Sequence, residues 1–244
     1  MTTLGTSRIQ GWELFARYAF PPNELGYCGP PDSSVLLRRG GHDEIADHAE
    51  GFEGAWPYLG EIAAAAGVTD PLDTEVVRSY WVGGPLLDRV DGAGLVQRLR
   101  RAFAAQPTGV LDEVAPGSGL AHHSFHVFVV YPWVRFLDAD PATPLRILQS
   151  CRIRWGTVES VTNEHAVILS RPLRFDGGLL ALGEPVTEKV RWSRAGTSLA
   201  PAPAPGDVVA AHWDWICADL GADEVAALAT ATASTLAVVN AARR

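Results

Sequence analysis

The stretch that decides the fold begins at Cys151 with CRIRWGTVESV (151–161). It continues through HAVILSRPL (165–173) and LALGEPVTEKVRW (180–192). These segments are short, rich in Val, Ile, Leu and Thr, and separated by the turn signals Asn163–Glu164 and Asp176–Gly177–Gly178, a texture that predicts β-strands. The proline-rich connection RAGTSLAPAPAPGD (194–207) leads to a further strand, VVAAHW (208–213). GADEVAALATATASTLAVVNAA (221–242) then reads as a helix, with Glu224 in its first turn and Arg243–Arg244 beyond its end, as the helix dipole favours. Several short strands followed by one helix predict a small β-barrel with a helical appendage.

Upstream, the texture is helical. Ile9, Trp12, Phe15 and Ala19 recur at helical spacing after Ser7, a candidate N-cap, and Pro21–Pro22 are expected to stop that helix. Further helices are expected over 42–52, 56–66, 73–82 and 91–104, bounded by Gly67 and Pro71, by Gly83–Gly84–Pro85 and by Pro107. After the PGSG linker (116–119), the apolar run from Leu120 to Leu137 predicts a helix kinked at Pro132. The fold class is therefore α+β, with an acidic, mostly helical domain at 1–145 and a small barrel with a C-terminal helix at 148–244.

Charge supports that division. Residues 1–145 hold ten Arg against eighteen Asp and Glu, whereas residues 146–244 balance at ten of each sign. The net charge of −8 argues against nucleic acid as a partner. The opening MTTLGTSRIQGWELF lacks the basic-then-apolar pattern of a leader, and the apolar run around Phe125–Leu137 is shorter than a membrane span. A cytoplasmic protein with no membrane span and with three reduced cysteines, Cys28, Cys151 and Cys217, is expected.

Two motifs carry a resemblance. Cys151-Arg-Ile-Arg-Trp155-Gly156-Thr-Val158 is similar to the opening of the HypC-type chaperones of [NiFe]-hydrogenase maturation, with Trp155 where that family has proline. Pro205-Gly206-Asp207-Val-Val-Ala-Ala-His212-Trp213-Asp214-Trp215 is similar to their closing motif. The resemblance covers residues 151–240 and implies an OB-like, HypC-like barrel. It also implies that Cys151 and His212 form a working pair, with Trp155, Trp213 and Trp215 as neighbouring partner- or iron-binding candidates. The cargo would be an Fe(CN)2CO unit held transiently at Cys151, and the partners the immature hydrogenase large subunit or a HypD-like scaffold protein. No tightly bound cofactor is expected. A thiolate is a soft ligand suited to low-valent iron, and a nearby imidazole is expected to orient the thiol and lower its pKa. Arg152 and Arg154 would add positive potential. The family cysteine lies at the mature amino terminus, whereas Cys151 is internal, so access must come sideways through the domain junction.

Three other features bear on function. His122, His123 and His126 form a constellation in which, on a helix, His122 and His126 share a face and could chelate a metal; buried hydrogen bonding is the competing reading. The loop Pro21–Pro30 is rigidified by proline and glycine around Cys28, which could be a reactive thiol or part of a structural turn. Trp213 and Trp215 are either exposed interface anchors or seals of the barrel. No GxSxG, P-loop or dinucleotide-binding motif is present; the resemblance implies a non-catalytic accessory factor of hydrogenase assembly. A metal- or thiol-dependent enzyme with its site between the domains, or a plain interaction module with another client, are the alternatives.

Overall fold

In the computed structural model, which describes residues 9–38 and 40–244, the first helix, α1, spans Gly11–Glu24. Ser7 lies outside the described residues. The helix is capped instead by the extended Gln10, whose N–H donates to the Glu13 carboxylate. Pro21 and Pro22 sit inside its last turn and do not end it. Burial of Phe15, Tyr18, Ala19 and Phe20 outweighs the loss of the prolines' backbone donors. Asn23, itself buried, then folds the following loop back by donating to the carbonyls of Cys28 and Pro30.

Helices α2 (His42–Glu50), α3 (Trp56–Ala66), α4 (Thr74–Trp81) and α5 (Gly92–Ala102) lie where the sequence places them. Asp73 and Asp91 cap α4 and α5 through their side chains, and Gly67 ends α3 in the left-handed conformation at φ 71°. The expected helix over 120–137 does not form. Its α-helical part, α6, is only His123–Phe125, followed by a π-turn at His126–Val130 and a 3-10 turn at Pro132–Phe136. Pro132 holds Tyr131 extended. Gly109 and Val110 donate to the carbonyls of Val130 and Val129, which a regular helix would have used internally.

Helix α7 (Ala142–Cys151) contains the expected division at 145–148, and Cys151 is its last residue rather than the start of a strand. The chain then forms β1 (Arg154–Val161), β2 (His165–Ser170), a hairpin of β3 (Leu173–Asp176) and β4 (Leu179–Leu182), β5 (Val186–Arg191), β6 (Val208–His212) and β7 (Trp215–Asp219). Strand β1 pairs antiparallel with β2 and β6, β2 with β5, and β6 with β7; a single parallel pairing, Arg191 with Trp215, joins β5 to β7. The strand order β1-β2-β5-β7-β6 thereby returns on itself. Alternate residues Val158, Ala166, Ile168, Val190, Val209 and Ile216 form an apolar cluster of their own. The β3–β4 hairpin turns on Gly177 and Gly178, both at positive φ, and Asn240 of the last helix clamps both backbone groups of Leu180.

That last helix, α8 (Ala222–Ala242), buries Leu228, Leu236 and Val239. Among the described residues it is the one helix long and apolar enough to cross a membrane by length and composition, carried by Ala and Thr as much as by large apolar residues. The main buried cluster is continuous from Phe15 of α1 through Trp81 and Phe128 to Cys151, Trp215, Leu228 and Leu236. A fragment of residues 148–244 would expose Trp215, Cys217 and Leu228, so it is expected to aggregate or remain unfolded. A dispersed amide spectrum from that fragment would show instead that the strands need no helical support.

Candidate functional site

Cys151 and His212, sixty-one positions apart, are neighbours, and His123 stands with them. One ligand atom from each lies within 4.8 Å of the other two, and all three residues are buried. They come from three elements: His123 opens α6, Cys151 ends α7, and His212 ends β6. Two turns bring the latter pair together. Trp213 N–H donates to the carbonyl of Ser150, and Arg154 reaches the carbonyls of Gln149 and Ser150 through one terminal nitrogen and that of Trp213 through the other. The Nε of Arg154 lies 3.2 Å from both carboxylate oxygens of Glu188, so a buried charge is paired and its donors are used.

Each imidazole is held by a carbonyl. His212 donates from Nδ1 to the carbonyl of Tyr18 at 2.7 Å. A carbonyl only accepts, so the neutral ring carries its proton there and its Nε2 is a bare acceptor, buried with no hydrogen-bond partner. His123 donates from Nε2 to the Cys151 carbonyl at 2.9 Å, and its Nδ1 lies 3.2 Å from the Tyr80 hydroxyl, whose one proton is shared between that nitrogen and the Gly54 carbonyl. Trp81 packs against both rings, with centroids 4.6 Å from His123 and 5.7 Å from His212.

Burial governs the electrostatics. It lowers His123 to about 4 and His212 well below its ordinary value, with His123 adding to the fall at His212. Burial also raises the Cys151 thiol, so the lowered thiol pKa expected from a neighbouring imidazole is not found: a neutral, desolvated ring supplies no positive charge. Nor do the arginines add free positive potential. Arg154 is spent on Glu188, while burial lowers Arg152, which bonds Gln149 and the Arg171 carbonyl.

The remaining candidates separate. His122 is the N-cap of α6, accepting from Ser124 N–H, and His126 lies on the π-turn with Nδ1 against the Tyr58 hydroxyl. With only one α-helical turn between them, His122 and His126 do not share a helix face, and of the three neighbouring histidines His123 alone joins Cys151. Cys28 and His126 instead line an open cavity of about 590 Å3, and burial pushes the Cys28 thiol up to about 12, which suits a structural position better than a reactive one. Trp213, at φ 52° in the β6–β7 turn, packs against Tyr27 with ring centroids 4.2 Å apart and planes tilted by 30°, and both residues line a small apolar cavity beside Cys151. Trp215 is buried against Phe20 beneath the guanidinium groups of Arg191 and Arg194, and the half-buried Trp155 lies under Arg152. Cys217 is fully buried, its thiol near the Trp215 carbonyl.

His123 was singled out in the sequence as one of a histidine trio, and Cys151 and His212 as a pair, but nothing in the sequence joined the two. No local pattern links it to Cys151, and the contact depends on the break in helix geometry after Phe125. Two outcomes follow for stability. His122 and His126 are lowered to about 3 and His123 to about 4, so the unfolded chain takes up protons below about 6.5 that the folded chain refuses. Folding stability should be complete above that pH and fall steadily from 6.5 towards 4; urea unfolding at pH 7.5, 6 and 5 measures it. Arg154→Ala should destabilise the protein by about 3–5 kcal/mol, the usual cost of breaking a buried pair, with Ser170→Ala as a milder control on the same carboxylate.

Residues 7–244 match the family of unknown function DUF6390. No curated protein and no solved structure matches the chain. The family match runs through helices and strands alike and includes all three residues of the buried trio. The chain belongs to the DUF6390 family.

Proposed function

We propose that this protein is an accessory factor of [NiFe]-hydrogenase assembly, acting at Cys151 and His212 on an immature large subunit or a HypD-like scaffold partner in the cytoplasm. On this reading the closed ring of strands is a small HypC-like barrel, extended by a helical half that the HypC type lacks. The observation that carries the proposal is the meeting of Cys151 and His212. The two residues that the resemblance singles out, one at each end of the strand-rich region, lie within 4.8 Å of one another in a desolvated site. A thiol and a bare imidazole nitrogen are a donor pair for a soft, low-valent iron cargo.

The internal position of Cys151 sets how a partner must approach. The thiol is covered on one side by Tyr27 and Trp213, so the route inward passes the loop that Asn23 staples. A partner that displaces Tyr27 from Trp213 would reach the sulfur directly. One observation favours the second reading, a metal-dependent enzyme with its site at the junction: the trio draws His123 from the helical half and the other two residues from further along the chain.

Deleting the gene in a host that makes a [NiFe]-hydrogenase should abolish that activity and leave the large subunit unprocessed. Cys151→Ala should do the same at normal protein level, since the small cavity it leaves costs about 1–2 kcal/mol. Full hydrogenase activity in a clean deletion would sink the proposal.

A further inference from the structure

We infer that His123, Cys151 and His212 together form a three-ligand site for a single thiophilic divalent transition ion, of the zinc, cobalt or ferrous type, with the fourth position open towards the apolar chamber beneath Tyr27 and Trp213. The inference deepens the reading above. It shares Cys151 and His212 with that reading, and it adds a ligand from the helical half and a resident ion where a transient cargo was proposed.

The strongest argument is the orphaned Nε2 of His212. A buried acceptor without a partner costs about 1–3 kcal/mol, and such atoms are rare unless something satisfies them. Here the opposite nitrogen is fixed by the Tyr18 carbonyl, the arrangement that holds metal-binding imidazoles in the ligating tautomer. The ring belongs to a cluster with a thiol and a second imidazole, one ligand atom of each residue lying within 4.8 Å of the others. His123 is gripped at both ring nitrogens, by Tyr80 and by the Cys151 carbonyl, so whichever nitrogen turns to the ion, the other retains a partner that orients the ring.

The donor set selects the class of ion. Two imidazoles and one thiol, with no carboxylate in the group, suit borderline-soft cations and not magnesium or calcium, which require oxygen ligands. Four-coordinate sites with bonds of about 2.0–2.3 Å place their ligand atoms roughly 3.3–3.8 Å apart, so a trio whose atoms lie within 4.8 Å need draw in by at most roughly 1–1.5 Å. Binding breaks the Cys151 S–H bond, forms the metal–sulfur bond and releases the proton to solvent. The chamber lined by Tyr27, Tyr131, Trp133 and Trp213 borders Cys151 and leaves one coordination position without a protein ligand.

The test uses the 244-residue chain, stripped with chelator and titrated with cobalt(II). One equivalent should bind with the intense visible bands of a tetrahedral ion and a thiolate-to-cobalt charge-transfer band, and zinc(II) should displace it. Cys151→Ser should remove the charge-transfer band. His123→Ala and His212→Ala should each weaken binding by at least about a hundredfold, more than loss of a residue that only orients a ligand. Cys28→Ser should change nothing, and near-ultraviolet circular dichroism shows that each variant is folded. Absence of stoichiometric binding by the folded wild-type chain would overturn the inference, as would a charge-transfer band that survives Cys151→Ser or binding untouched by His123→Ala. Cobalt binding alongside full hydrogenase activity in the gene deletion would remove the assembly reading and leave the metal site standing. A deletion that abolishes hydrogenase activity, with no binding by the chain, would do the reverse.

Discussion

The guanidinium of Arg154 is the knot to which the strands and the last turn of α7 are tied. A charge buried this deeply is tolerable only if nearly every N–H finds an acceptor. Glu188 on β5 supplies the countercharge, and the carbonyls of Gln149, Ser150 and Trp213 take the remaining donors. One side chain thus bonds the end of α7, the turn after β6 and the middle of β5. Cys151 follows Ser150 directly, and His212 precedes Trp213. Their proximity follows from the bonds that satisfy one arginine.

Much of the helical half was legible because local chemistry sets its boundaries. Asp73, Asp91 and Gly67 stand where caps and stops are needed, and the helices they bound lie close to their expected positions. Most strands were legible for a similar reason, since alternation and the Gly177–Gly178 turn are properties of short windows, but β7 (Trp215–Asp219) was not expected. Where long-range hydrogen bonding takes over, windows fail. The run from Leu120 to Leu137 has helical composition, yet Gly109 and Val110, distant in sequence, take its carbonyls and leave a π-turn. The prolines of α1 are the converse case, in which packing preserves a helix that propensity would end.

The candidate site divides along the same line. Cys151 and His212 were marked by motifs that a sequence displays. The burial that raises the thiol, the Tyr18 carbonyl that sets the tautomer of His212 and the arrival of His123 are properties of the packed chain alone. The composition shift near residue 145 coincides with a change in secondary structure. The buried cluster crosses it without interruption, because α7 spans it and Trp215 packs against Phe20 of α1.

The backbone of Trp213 sets two demands against each other. At φ 52° a tryptophan occupies a conformation that costs an L-residue about 1–2 kcal/mol and that glycine adopts freely. Its ring offsets this by packing against Tyr27 and closing the chamber over Cys151. A glycine at 213 would ease the turn while removing the cover, so the two changes in free energy have opposite signs. Melting temperature is consequently a poor reporter at this position: a chain could lose its closure over the thiol and still unfold at nearly the same heat.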